Sequence, residues 1–245
     1  MFLVDTLLPD AGAAFSAPRL SVAEALPLAD LVLDTNVLLL PYNTGTSSLH
    51  QIEAALTPIR DNGRLFVPGR VAREFTRLRP FKLTDLLHAI SNQSNNIKIP
   101  DDLDYPLLRD LPEYQSLSTA LKAFREARRT FLKAVTGLCD SIIAWDGNDP
   151  VSATYSRLFT QPCIRDPGFD KAEVLKDLRR RVEHKIPPGY KDADKSDGGV
   201  GDLLIWWTIL DLAREHNRPL IFVTGDRKAD WQHRSDKKGF SLGAN

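Results

Sequence analysis

Short apolar runs alternate along this chain with longer segments of helical period. Leu31–Asp34 is an apolar run that stops on an aspartate, the pattern of a buried strand delivering a carboxylate to a sheet edge. Tyr42–Ser48 (YNTGTSS) reads as a polar loop. His50–Asn62 then puts Ile52, Leu56 and Ile59 on one helical face, and Asn62-Gly63 ends it. Leu65–Val67 is a short strand closed by Pro68. Gly69–Arg79 is a helix stopped before Pro80. Phe81–Ser94 is a further helical segment, and Pro100, Pro106 and Pro112 make residues 95–112 a loop. Glu113–Gly137 is a long helix with Leu117, Leu121, Phe124, Phe131 and Val135 as its apolar stripe. Gly147–Pro150 breaks the chain. Asp170–His184 is helical and leads into the turn IPPGY. Asp202–Glu215 is an apolar helix, and Leu220–Thr224 is the last clear strand. Residues 1–29 are broken by Pro9, Pro18 and Pro27 and read as loops with a short helix.

Strands alternating with helices at both ends predict an α/β fold with a mainly parallel sheet. The helical middle predicts a large insertion. The expectation is one domain over 1–245, with its core at about 28–80 and 186–245 and the insertion at about 81–185.

Composition narrows the function classes. The 245 residues carry 32 Lys+Arg and 32 Asp+Glu, so any grip on a polyanion is local rather than global. Cys139 and Cys163 show no CxxC spacing, which excludes a disulfide framework and fits a reducing, cytoplasmic setting. The five histidines form no HxxxH pair, which argues against a histidine-built zinc site. Asp5 interrupts the N-terminal apolar stretch and no positive residue precedes it, so a soluble segment is expected rather than a signal peptide. No run is long enough to span a membrane.

The candidate chemistry lies in acids. Asp34 ends the first strand, and Asp226 and Asp230 frame the loop after the last. In open α/β sheets, sites form outside the carboxyl ends of the strands. Glu74 stands at the border of the face that Val71 and Phe75 share. Asp202 opens the apolar helix, where an N-cap is the default reading. Each signal is weak alone. Together they predict carboxylates gathered at one sheet edge, whose mutual repulsion a divalent cation would relieve.

The ordered blocks LVLDTNVLL, VPGRVAREF, PPGYKDADKSDGGVGDLLIW and IFVTGDRKADW resemble the PIN-domain nuclease superfamily, in its PIN-like branch. The resemblance implies a three-layer α/β/α sandwich around a parallel sheet, and acids that bind Mg²⁺ or Mn²⁺ and cleave phosphodiesters, usually in RNA. It assigns Asp34, Glu74, Asp202 and Asp226 to metal binding and catalysis, with Asp230 and Asp192 as accessory acids. Thr35, Asn36 and Thr224 match positions that orient the acids. The long gap between Glu74 and Asp202 departs from compact members and implies a further role for the insertion. The resemblance also implies a short closing element after Trp231, so the chain reads as a fragment. A regulatory protein or C-terminal extension is a candidate partner, and a toxin, defence effector or RNA-processing role follows by analogy.

The chemistry suits these groups. Oxygen ligands favour hard Mg²⁺ or Mn²⁺, which can activate water and relieve charge on a phosphate without a covalent protein nucleophile. Phosphate contacts are expected from Lys191, Lys195, Arg227 and Lys228, and from Arg125, Arg128 and Arg129 on one face of the long helix. Two rivals compete. A haloacid-dehalogenase-like phosphatase matches GDRKAD but needs an acid where Asn36 stands. A catalytically inactive nucleic-acid- or protein-binding module would keep the fold alone.

Overall fold

The computed structural model describes residues 10–12, 20–95, 97–99, 104–168, 170–192, 198–226, 232–234 and 241–243. A capping box starts α1 (Val22–Ala25): the Ser21 hydroxyl accepts from the Glu24 N–H, and the Glu24 carboxylate accepts from the Ser21 N–H. There follow β1 (Asp30–Leu33), α2 (Thr35–Leu38), α3 (Pro41–Thr44), α4 (Thr46–Asp61), β2 (Leu65–Pro68) and α5 (Gly69–Asn95). Next come α6 (Pro112–Ile143), α7 (Pro150–Leu158), β3 (Ile164–Arg165), α8 (Lys171–His184), α9 (Val200–His216) and β4 (Leu220–Val223). The described chain ends in an antiparallel pair, β5 (Gln232–Arg234) and β6 (Ser241–Gly243).

The principal sheet is parallel throughout, in the order β3-β2-β1-β4. Val32 stands between Phe66 and Phe222, and Pro68 beside Arg165. All of β1 and β2 is buried, as a sheet covered on both faces requires. The chain steps from β1 to β2 to β3, then returns to lay β4 on the other side of β1. Right-handed crossovers place the segment entering β2 and the α8–α9 connection on opposite faces, giving the layered α/β architecture. The strand order reverses between β1 and β4. That switch point opens a crevice at the carboxyl ends of the strands.

The chain divides into two compact units. One comprises Met1–Val37, Leu56–Ala72 and Phe159–Asn245 and holds the parallel sheet; the other, Leu38–Ala55 and Arg73–Leu158, is helical. The stretch 81–185 therefore includes β3 and α8 of the sheet unit rather than helical insertion alone. A two-residue strand leaves no period to read.

Other boundaries differ for identifiable reasons. The YNTGTSS stretch is not a loop but the junction of α3 and α4, turned at Gly45 (φ 88°). Helix α5 runs through Pro80, which is exposed, so water can take the carbonyl that proline leaves without a donor. Helix α6 continues past Gly137 to Ile143. Its apolar stripe splits: Leu121 and Val135 lie on a half-buried line ending at buried Ile142, while Leu117, Phe124 and Phe131 stay exposed.

In the sheet unit, Val174 and Leu178 of α8 pack against Leu203 of α9, with Trp206 and Trp207 alongside. Asp177 fastens the pair by accepting from Arg180 (2.8 Å), Arg181 (2.9 Å) and the Trp207 indole N–H (3.2 Å). Burial pushes its carboxyl up, but the bonds from Arg181 and Arg180 outweigh this and hold it below the ordinary value. In the helical unit, Asp149 is fully buried at the start of α7. It accepts from the Val151 and Ser152 N–H groups (3.0 and 3.1 Å) and the Tyr42 hydroxyl (2.9 Å), and pairs with Arg79 at 3.3 Å. Burial, then the bond to Asp149, raises the Tyr42 phenol well above its usual range.

Candidate functional site

Asp34 sits one residue past β1, beside the start of the loop after β4. Its Oδ1 accepts from the Thr35 N–H at 2.7 Å. Its Oδ2 accepts from the Thr224 hydroxyl at 2.6 Å and the Asn36 amide at 2.9 Å. The direction of each bond is fixed by the next. The Thr224 oxygen accepts from the Asp226 N–H (2.9 Å), so its own proton goes to Asp34. The Asn36 carbonyl accepts from the Gly225 N–H (2.6 Å), so its NH₂ faces Asp34. Thr35, Asn36 and Thr224 thus each donate one hydrogen bond to the Asp34 carboxylate. The Asn36 side chain has no acidic proton to donate, which disfavours phosphatase chemistry.

The register carries the other groups to the same edge. Asp226 is two residues beyond Thr224, in the loop that leaves β4, the strand adjacent to β1, and neighbouring strands lie about 4.8 Å apart. Helix α9 ends at His216, whose Nδ1 bonds Asp30 at the opposite end of β1 (2.5 Å). Its first turn therefore reaches toward the carboxyl edge. There a Cβ added to Gly201 would lie 2.9 Å from an Arg70 guanidinium nitrogen, so glycine admits the arginine. Asp202 is next in line. It lies in the first turn of α9 but is not the N-cap, which is Gly199 in a left-handed conformation (φ 80°). Gly189 of the IPPGY turn also needs to be glycine: its φ is 96°, and a Cβ would meet the Gly199 carbonyl at 3.1 Å.

Sequence reading missed two groups here. Asp166 follows β3 at this edge and lies so close to Gly69, at the start of α5, that a Cβ there would collide with its carboxylate. Its only signal is an aspartate after Ile164-Arg165, too short a run to mark a strand. Arg70 lacks even that, since only folding brings it to Gly201.

Glu74 belongs to the helical unit, in the second turn of α5, and its carboxylate is 3.6 Å from Arg77. Of the predicted phosphate contacts, Lys191 is exposed in the short turn Tyr190–Asp192. Arg129 is exposed and Arg125 half-buried on α6. The Arg128 Nε donates to the Ile97 carbonyl at 3.2 Å, so that side chain serves the fold. Lys195, Arg227, Lys228, Asp230 and Trp231 lie outside the described residues, as does the side chain of Asp192.

The donor set at the switch point is oxygen only, which fits a hard divalent cation. Mg²⁺ needs no full protein cage; one or two carboxylates and retained waters commonly suffice. Among the described residues, no group of three or more His, Cys, Asp or Glu is gathered to hold a metal. Asp34 and Asp226 are linked through the Thr224 hydroxyl, which donates to the Asp34 carboxylate and accepts from the Asp226 N–H.

A family model described as a PIN like domain matches residues 31–244. No curated protein and no solved structure matches the chain.

Proposed function

The chain belongs to the PIN-like domain family, and from that premise we propose that it is a divalent-metal-dependent nuclease hydrolysing phosphodiester bonds, with RNA ahead of DNA as substrate. The supporting observation is Asp34, fixed by three hydrogen bonds at the reversal of strand order, with Asp226 on the neighbouring strand's loop. In this reading Asp34, Glu74, Asp202 and Asp226 hold Mg²⁺ or Mn²⁺, with Asp192 and Asp230 as accessory ligands. The bound ion would neutralise phosphate charge and favour ionisation of water.

The chain's own residues do the positioning. Thr35, Asn36 and Thr224 hold the Asp34 carboxylate in one orientation, so its ordering cost is met during folding rather than at substrate binding. Lys191, Lys195, Arg227 and Lys228 grip phosphates around the acidic crevice, and Arg125 and Arg129 are further cationic contacts. Among the described residues no helix is long and apolar enough to cross a membrane. Cytoplasmic action as a toxin, defence effector or RNA-processing enzyme extends this reading by analogy, as does control by a regulatory protein.

End-labelled single-stranded RNA incubated with the full chain tests the proposal. Cleavage is expected with Mg²⁺ or Mn²⁺, abolished by EDTA and lost in Asp226→Asn, whose circular dichroism matches wild type. Cleavage that persists in EDTA, or an Asp226→Asn protein that cuts as well as wild type, would sink the assignment.

A further inference from the structure

Helix α6 carries a surface that the nuclease reading does not use. Leu117, Phe124, Phe131 and Leu138 recur every seventh residue and are 51%, 44%, 38% and 51% exposed. Ala120, Ala127 and Ala134 alternate with them along the same exposed line. Beside that line run Ser116, Ala123, Thr130 and Gly137, all small and all exposed. Together these positions span an arc of about 160°, with no charge in it between Ser116 and Leu138. Lys122, Glu126, Arg129, Lys133 and Asp140 all fall outside the arc. An ordinary solvent face of a long helix is charged; this one presents aromatic and aliphatic knobs separated by alanine-floored gaps.

The spacing also says what fits. Leu-Ala-Phe-Ala-Phe-Ala-Leu reads the same in both directions about Ala127. Heptad packing inserts a large side chain of one helix into a hole on its neighbour. A second α6 running antiparallel sets Leu117 against Leu138 and Phe124 against Phe131 of the other copy, with the alanines meeting between them. A two-fold axis near Ala127 satisfies both chains by the same contacts. A phosphate backbone gains nothing on an uncharged apolar strip, and an unrelated helix would need the same alternation.

We propose that this face of α6 is a homodimer interface, formed by antiparallel pairing with a second copy of the chain. From Leu117 to Leu138 the strip is about 32 Å long. Pairing over that length buries a total near the lower bound for specific interfaces, roughly 1,000 Å². The dimer is therefore reversible and concentration-dependent. The small residues Ser116, Ala123, Thr130 and Gly137 let the helices approach closely along one flank.

Sedimentation of the full chain across the micromolar range tests this. The wild type is expected to pass from monomer to dimer. The double variant Phe124→Glu/Phe131→Glu is expected to remain monomeric with unchanged circular dichroism, since both side chains already face solvent. Lys122→Glu, outside the arc, should dimerise like wild type. Orientation has its own test. Leu117→Glu and Leu138→Lys should each weaken association, and combining them in one chain should restore it, because antiparallel pairing brings position 117 near position 138 of the other copy. A wild type that stays monomeric throughout, or Phe124→Glu/Phe131→Glu dimerising undiminished, overturns the proposal. A combined Leu117→Glu/Leu138→Lys chain no better than the single variants overturns the antiparallel pairing. Neither result bears on metal-dependent cleavage, which is measured separately.

Discussion

Asn36 joins two strands through one amide. Its oxygen takes the Gly225 N–H and its nitrogen serves Asp34. An isosteric acid there keeps the first bond and turns the second into carboxylate facing carboxylate. Asn36→Asp is therefore expected to lose about 1–3 kcal/mol of unfolding free energy, read from urea denaturation without divalent ions. Unchanged stability would show that the amide does not orient Asp34. The residue scale also separates charges that sequence reading grouped together. Arg125, Arg128 and Arg129 share a helix, yet Arg128 is committed to the Ile97 carbonyl, and only packing reveals such a commitment.

At the scale of elements, the α8–α9 pair shows how a charge can fasten two helices. Asp177 has a depressed carboxyl pKa despite the opposing effect of burial. A group depressed on folding stabilises fully above its unfolded pKa, and that contribution is lost as pH falls through the folded value. Thermal melts between about pH 7 and 3 should therefore show a component of acid lability that Asp177→Asn lacks. Identical pH profiles for the two proteins would remove Asp177 as its source. Helix α5 gives the second expectation. Pro80 interrupts its hydrogen-bond ladder from an exposed position. Pro80→Ala should raise the urea midpoint, by up to about 3 kcal/mol in helix propensity, offset in part by greater unfolded-chain freedom. A lower midpoint would mean that the proline's bend is needed by the packing around α5.

For the whole molecule, ligand binding and stability are one measurement. A cation that binds only the folded chain stabilises it by about 2.7 kcal/mol at a hundred times its dissociation constant. Mn²⁺ should thus raise the thermal midpoint of wild type, and Asp34→Asn should lose that shift even if its own midpoint differs. An equal shift in both proteins would place the ion elsewhere. With Lys+Arg and Asp+Glu balanced at 32 each, RNA contact has to come from local cations, not from the field of the whole chain.

The sequence by itself determined the strands that carry Asp34 and Asp226. Apolar runs ending on an acid need only local composition to be read, and parallel strands buried on both faces must be apolar throughout. It likewise marked most helices, through their period. It did not reveal β3, which is too short to have a period, or the passage of α5 through Pro80, which depends on solvent reaching one carbonyl. Strand order, the reversal between β1 and β4, the seat of Arg70 on Gly201 and the exposed line of α6 were decided only in three dimensions. Each depends on which distant segments meet, and hydrophobic pattern constrains the face a residue takes far more tightly than the neighbour it finds.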